Sequence, residues 1–400
     1  MKKILALLLA LVMVLGLFAG CSGNTSETKP SETEASTPET TEGGSNEEET
    51  TENNAGNVDM KVAMITDYGD ITDQSFNQTT YETMKAWCAE NGVPCTYFKP
   101  EGDSTAQRVA MVDAAVAEGY NVILMPGFAF GETIAQTADV YPDVTFIALD
   151  VSEGDLGGYT LPANVFSAVY QEELSGYMAG YAAVMLGYRH LGYLGGMGVP
   201  AVLRFGYGYL QGIDAAATEL GCADEITVEW AYGNQFYGDA DITAAMDAWY
   251  GEKNVEVVFA CGGGIYTSVA EAASKIDGKK VIGVDVDQAA IIDAYGEGMT
   301  VTSAMKGLAN TVTLMLDEVA AGNFANYGGT VQNLGLVSGD DPTANYVQIP
   351  MESTQWSDDF TQDDYKALVK GMFDGTIVVS NAIDAMPEVA FTVNDYGNLK

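Results

Sequence analysis

Past residue 60 the chain alternates between two kinds of segment. Short apolar runs rich in β-branched residues fall at 62–66, 96–98, 122–125, 144–149, 165–169, 191–195, 226–230, 255–260, 281–284 and 300–304. Amphipathic stretches of helical period lie between several of them, among them 107–118, 172–186, 205–220 and 309–321. A strand with one wet face alternates apolar and polar residues, whereas a strand buried on both faces is apolar throughout. The pattern therefore predicts an α/β fold of parallel sheets covered on both sides by helices. Ten such strands exceed one ordinary sheet, so two doubly wound lobes are the economical reading.

The first 57 residues belong to no lobe. Met1-Lys2-Lys3 is a basic head, 4–18 is a continuous apolar run, and Ala19-Gly20-Cys21 follows. That order describes an export signal too short to span a bilayer. Its ending, "LFAGC", resembles a bacterial lipoprotein signal, which implies cleavage and lipidation at Cys21; an ordinary cleaved signal peptide is the alternative. Residues 22–57 are Ser, Thr, Glu, Asn and Gly with almost nothing apolar. Such a segment has too little to bury to offset its ordering entropy, so 22–57 reads as a disordered acidic tether. The expected location is the outer face of the cell membrane, held by lipid on Cys21. The charge balance, 17 Lys+Arg against 56 Asp+Glu, argues against nucleic acid as a partner.

Ligands of open parallel sheets bind beyond the carboxyl ends of the strands. Those ends carry Asp67, then the loop containing Phe76 and Asn77; Gly127-Phe128; Asp150; Arg204-Phe205; Gly262-Gly263-Gly264; Asp285; and Lys306. Aromatics suit stacking on a flat ring, and carboxylates suit paired hydroxyls. Each residue also has a plainer role: Asp73 or Ser75 as a helix cap, Phe76 as a staple, the aspartates as loop caps. Catalytic patterns are scarce. The chain has one histidine, His190, and no GxSxG, HExxH, Walker or GxGxxG motif. Neither an enzyme nor a metal or cofactor is expected. Besides Cys21 the cysteines are Cys88, Cys95, Cys222 and Cys261; buried free thiols are expected, with a Cys88–Cys95 pair as the alternative. Gly176 and Gly180 form a GxxxG, read as close helix packing within a lobe rather than a membrane helix.

The segments "DQSFNQ" with "YETM", "GFAFGETIAQTADVYPDVTFIALD", "NVFSAVYQEELSGYMAGYAAVM", "LGYLGGMGVPAVLRFGYGYLQGI", "VEVVFACGGG" and "KKVIGVDVDQ" together resemble the basic-membrane-protein family, lipoproteins that bind purine nucleosides for ABC-type uptake. The likeness runs from about Lys61 to Leu334 and is less clear beyond Val337. It implies a type I periplasmic-binding-protein fold, with two lobes, a three-strand hinge and a ligand between the lobes. Crossings near Ser167, Ser303 and Thr330 give lobe one as 58–167 plus 304–330 and lobe two as 168–303 plus 331–400. It implies a base between Phe76 and Phe205, with Asn77 and Asp67 on the base edge. Asp285 takes the ribose hydroxyls, assisted by Lys306 and Asp150. The implied partners are a purine nucleoside and an ABC permease, for a protein acting as a monomer; a sugar or a modified nucleoside is the alternative ligand.

Overall fold

The computed structural model describes residues 60–400. The expected signal, Cys21 and the 22–57 tether lie outside them. All ten apolar runs are strands: β1 Val62–Ile65, β2 Cys95–Phe98, β3 Val122–Pro126, β4 Thr145–Leu149, β5 Val165–Tyr170, β6 His190–Gly195, β7 Thr227–Tyr232, β8 Val257–Cys261, β9 Lys280–Asp285 and β10 Thr300–Lys306. Three further strands follow: β11 Thr330–Leu334, β12 Val347–Gln348 and β13 Thr392–Asn398.

They form two sheets. The first has the order β11-β5-β4-β3-β1-β2 and is parallel throughout. The second has the order β12-β10-β9-β8-β6-β7-β13 and is parallel except where β12 pairs with β10. Side chains of successive strand residues point to opposite faces, and both faces are buried. Val62 and Met64 join one core while Ala63 and Ile65 join the other. Tyr193 and Phe259 face one side of the second sheet, Leu194 and Ala260 the other. This double burial is why these strands read as unbroken apolar runs.

Strand membership fixes where the chain changes sheets. Ser167 and Ser303, where crossings were expected, lie inside β5 and β10. Each is satisfied in place: Ser167 Oγ donates to Val151 O at 2.7 Å, and Ser303 Oγ accepts from Gln288 N at 3.1 Å. A buried serine with a partner does not interrupt a strand. The chain leaves the first sheet after Tyr170 and returns to it after Lys306. It then runs through the helix Leu308–Ala320, whose Leu308, Val312 and Met315 join the first sheet's core, and leaves again after β11. The helix Glu172–Met185 packs in the second lobe against the helix Pro200–Leu220. Among the described residues no helix is long and apolar enough to cross a membrane. Cys88, Cys95, Cys222 and Cys261 are free thiols.

Candidate functional site

The carboxyl ends of both sheets face one cavity of about 470 Å³, which all seven predicted ligand residues line: Asp67, Phe76, Asn77, Asp150, Phe205, Asp285 and Lys306. Strand ends that must turn abruptly place them there. Asp150 follows β4 at φ 63° and Asp285 ends β9 at φ 66°. Left-handed backbone is costly for a residue with a Cβ, and aspartate tolerates it better than most. Gly262 follows β8 at φ 146°, and a Cβ there would sit 2.8 Å from the Phe236 ring. This glycine turn makes room inside the cavity.

The helix Phe76–Asn91 opens at the cavity wall. Asp73 caps it, its carboxylate accepting from the N–H of Ser75, Asn77 and Gln78 at 2.9–3.0 Å. With the cap supplied by Asp73, the Ser75 hydroxyl is free to donate to Asp285 Oδ2 at 2.5 Å, from the opposite lobe. Gln288 Nε2 likewise reaches back to Gln74 O at 3.1 Å, and Tyr68 stacks on Phe236 across the cleft at 6.3 Å. The lobes therefore meet through these two hydrogen bonds and the aromatic pair, together with the Lys306 contacts described next. Phe76 packs on the first core and also lines the cavity, so the capping reading holds for Asp73 while Phe76 borders the cleft.

Charge concentrates at Lys306. Its Nζ lies 2.5 Å from Asp150 Oδ2, 3.6 Å from Glu172 Oε1 and 3.7 Å from Asp285 Oδ1. It also stands 4.7 Å from the centroid of the Phe76 ring and 5.6 Å from that of Phe205. Burial pulls its pKa down, but the three carboxylates more than reverse that and hold the ammonium charged. Glu172 is fully buried and also takes a 2.6 Å hydrogen bond from Arg204 Nε. Burial pushes Asp150 up to about 6 against the pull of Lys306, with Glu172 and Asp285 adding to the rise.

Asp67 is buried at the other end of the cavity. Its Oδ1 accepts from Tyr68 N at 2.7 Å, Gly69 N at 2.6 Å and Asn77 Nδ2 at 3.5 Å. Burial outweighs these bonds and pushes its carboxyl up to about 6 from an ordinary value of 3.8. A carboxyl with a raised folded pKa holds its proton more tightly folded than unfolded. Its contribution to stability is therefore fully present below 3.8 and is lost as pH rises through about 6. Asp67→Asn should then be more stable than the native chain at neutral pH, by roughly 1–3 kcal/mol. The advantage should vanish near the ordinary carboxylate pKa. Thermal melts across that pH range check this, and parallel profiles would contradict it.

Several lining residues escaped the sequence reading. Tyr68 was passed over beside Asp67, and Arg204, noted at its strand end, was given no role. Phe236 follows β7; asking what lies beyond 226–230, as was asked of the other strands, would have found it. Glu172 looked like an ordinary acidic helix start, and only the fold brings it to Lys306 and Arg204. His190 opens β6, at the end of the strand away from the cavity, is half-buried and pairs with Glu229 at 3.0 Å.

Residues 60–366 match the family model Bmp, described as ABC transporter substrate-binding protein PnrA-like. The chain is 28% identical over 299 residues to the "ABC transporter nucleoside-binding protein BmpA" of Lactococcus lactis, covering 70% of this chain and 80% of that one. It is 25% identical to an uncharacterized lipoprotein of Pyrococcus abyssi, over 72% of this chain and 65% of that one. Among solved structures it resembles an ABC transporter solute-binding protein from Conexibacter woesei, with a TM-score of 0.61, 23% identity, and coverage of 80% and 99% of the two chains. That likeness fixes the fold as the two-lobed type I fold of periplasmic solute-binding proteins, as the sequence resemblance implied. The chain belongs to the Bmp family of PnrA-like ABC-transporter substrate-binding proteins.

Proposed function

We propose that this protein captures a purine nucleoside between its lobes and presents the closed, loaded form to an ABC permease. One observation carries the reading: Phe76 from the first lobe and Phe205 from the second line the same cavity as a buried lysine–carboxylate set. In this reading the two rings hold the base between them, and Asp67 and Asn77 meet its edge. Asp285 and Asp150 accept hydrogen bonds from the ribose hydroxyls, with Lys306 holding the two carboxylates in place. Ser75 and Gln74 then draw the first lobe onto Asp285 and Gln288 of the second, and closure is what the permease reads. The name of the Lactococcus relative supports the nucleoside class. The Pyrococcus lipoprotein supports lipid anchoring at Cys21 on the outer membrane face. The protein acts by binding, without chemistry on its ligand, and as a monomer.

The energetics are adequate. Stacking contributes about 1–3 kcal/mol per base, and hydrogen bonds to charged groups about 1.5–3 kcal/mol each. Their sum, reduced by the cost of association, is compatible with micromolar binding, at roughly −8 kcal/mol. Calorimetric titration of the purified full chain with purine nucleosides, ribose and hexoses tests the assignment. Nucleosides should bind, and Phe76→Ala and Asp285→Ala should each weaken them about 10- to 100-fold. Nucleoside binding indifferent to Phe76→Ala would remove the stacking role. Sugar binding without nucleoside binding would replace the ligand class.

A further inference from the structure

Phe236 lines the cavity, yet its ring is set against protein. It follows β7 in the second lobe and stacks on Tyr68 of the first, at 6.3 Å between centroids and 24° between planes. That spacing lies within the range at which aromatic rings attract. Glycines form the bed under the ring. A Cβ on Gly196, after β6, would come 2.3 Å from the ring, one on Gly262 2.8 Å, and one on Gly263 2.9 Å from Phe236 O. A side chain at Gly196 or Gly262 would displace the ring from this bed. The loop that carries Phe236 is tied down as well. Gly264 N donates to Phe236 O at 2.9 Å, and Gln235 Nε2 donates to Tyr237 O at 2.8 Å and to Asp239 Oδ2 at 3.0 Å. Asp239 Oδ1 caps the helix Ala240–Gly251, accepting from the N–H of Asp241 and Ile242 at 3.0 Å, which leaves Oδ2 for the loop. β13 adds a second grip. It runs parallel to β7, so its carboxyl end reaches the cavity end of the sheet. There Leu399 N donates to Tyr232 O at 2.8 Å, and Lys400 pairs with Asp239.

We propose that the Tyr68–Phe236 stack is a latch between the lobes, and that Phe236, braced by Asp239 and β13, is a positioning residue that holds the closed form shut without choosing what it holds. The inference rests on capture between the lobes, as proposed above, and not on which ligand is captured. A contact made between protein groups in the closed form adds the same free energy to every closed complex. A ring that touched the ligand would favour some ligands over others. The latch therefore acts on the lifetime of the complex. The stack must break before the lobes part, so its loss raises the dissociation rate. Association starts with the lobes apart and changes little.

The test is a double-mutant cycle on the full chain, read by titration and stopped-flow dissociation with guanosine, inosine, adenosine, ribose and glucose. Phe236→Ala and Tyr68→Ala should each raise the dissociation rate roughly 3- to 10-fold, by the same factor for every ligand that binds. The double variant should be no worse than either single one, because each removes the same contact. Lys400→Met should raise the rate about 2-fold, and should add nothing once Phe236 is replaced by alanine. Additive effects of the two rings, or factors that differ between ligands, would mean that the rings act on the ligand, and would overturn the latch while leaving the nucleoside reading intact. Unchanged dissociation rates would overturn it as well. Phe236→Leu and Tyr68→Leu keep bulk without an aromatic face and repeat the cycle if the alanine variants do not fold. Binding of a sugar alone would overturn the nucleoside reading, and the same cycle with that sugar would decide the latch. Binding of none of the five would overturn both.

Discussion

Lys306→Met should abolish ligand binding and lower stability at neutral pH by about 3–5 kcal/mol, and the stability loss should shrink under acid. Methionine keeps most of the lysine stem, so the change isolates the charge. Among the described residues Lys306 is the only ion-pair partner of Asp150 and Asp285, and it shares Glu172 with Arg204. Breaking one side of a buried pair costs more than the pair contributes, because the remaining charge stays buried without compensation. Here up to three carboxylates are left. The pH dependence follows from Asp150. Lys306 already holds that carboxyl below where burial alone would put it, and its pKa is still about 6. Without the ammonium the folded pKa climbs further, so the variant's folded state takes up a proton that the unfolded state takes up only near 3.8. Stability held by that proton is present below 3.8 and lost as pH rises through the raised value. The deficit against the native protein is therefore largest at neutral pH and smallest near about pH 4. Lys306 stays charged over this whole range, its own pKa being raised. Denaturant unfolding at the two pH values checks this. Equal deficits would mean that lost stem packing, rather than stranded carboxylates, explains the cost. Adding Asp150→Asn to the variant should recover part of the loss.

The legible part of this molecule is the part where burial and chemistry coincide. Most of β1 to β10 could be read because both faces of their strands are covered, which leaves apolar runs such as VAMI and VVFAC; β2, CTYF, is an edge strand and only part-buried. β11, β12 and β13 could not. Their sequences, TVQNL, VQ and TVNDYGN, lie at sheet edges, and apart from Val347 none of their residues is fully buried. Their strand character comes from pairing with β5, β10 and β7, contacts made across 160 residues or about 40. The site divides the same way. Asp67, Asp150, Asp285 and Lys306 stand at the ends of visible strands, so topology alone drew attention to them. Glu172 carries no such mark. An acidic residue in the first turn of a helix is ordinary for its dipole, and nothing local says that it is sealed between Arg204, 32 residues on, and Lys306.

Gly176→Ala should destabilise the protein by about 3 kcal/mol or more and disable the cleft, although Gly176 does not line it. In an exposed helix this substitution stabilises by about 1 kcal/mol, through a smaller loss of backbone entropy on folding. The contacts reverse that sign. The helices Glu172–Met185 and Pro200–Leu220 touch along reciprocal glycines. A Cβ on Gly176 would fall 2.1 Å from Phe205 O, and one on Gly208 2.1 Å from Glu173 O. Gly180 and Gly212 meet Tyr209 O and Tyr177 O at 2.2 and 2.1 Å. Each obstacle is backbone, so no rotamer change relieves it, and the helices must move apart. Overpacking that side chains can absorb already costs 1–3 kcal/mol, which makes about 3 kcal/mol a floor for this site. The separation also carries a functional cost. The first helix begins with Glu172, the second holds Arg204 and Phe205, and the obstructing atom belongs to Phe205 itself. Moving that backbone shifts one wall of the cavity and one partner of Lys306 together. Gly251→Ala is the matched control: Gly251 is the exposed last residue of the helix Ala240–Gly251, and its Cβ would meet only the tip of Ile276 at 3.7 Å. It should be neutral or slightly stabilising and leave ligand affinity unchanged. If both alanines melt alike, the helices are not packed backbone to backbone. If Gly176→Ala melts early yet binds normally, Phe205 does not owe its position to that interface.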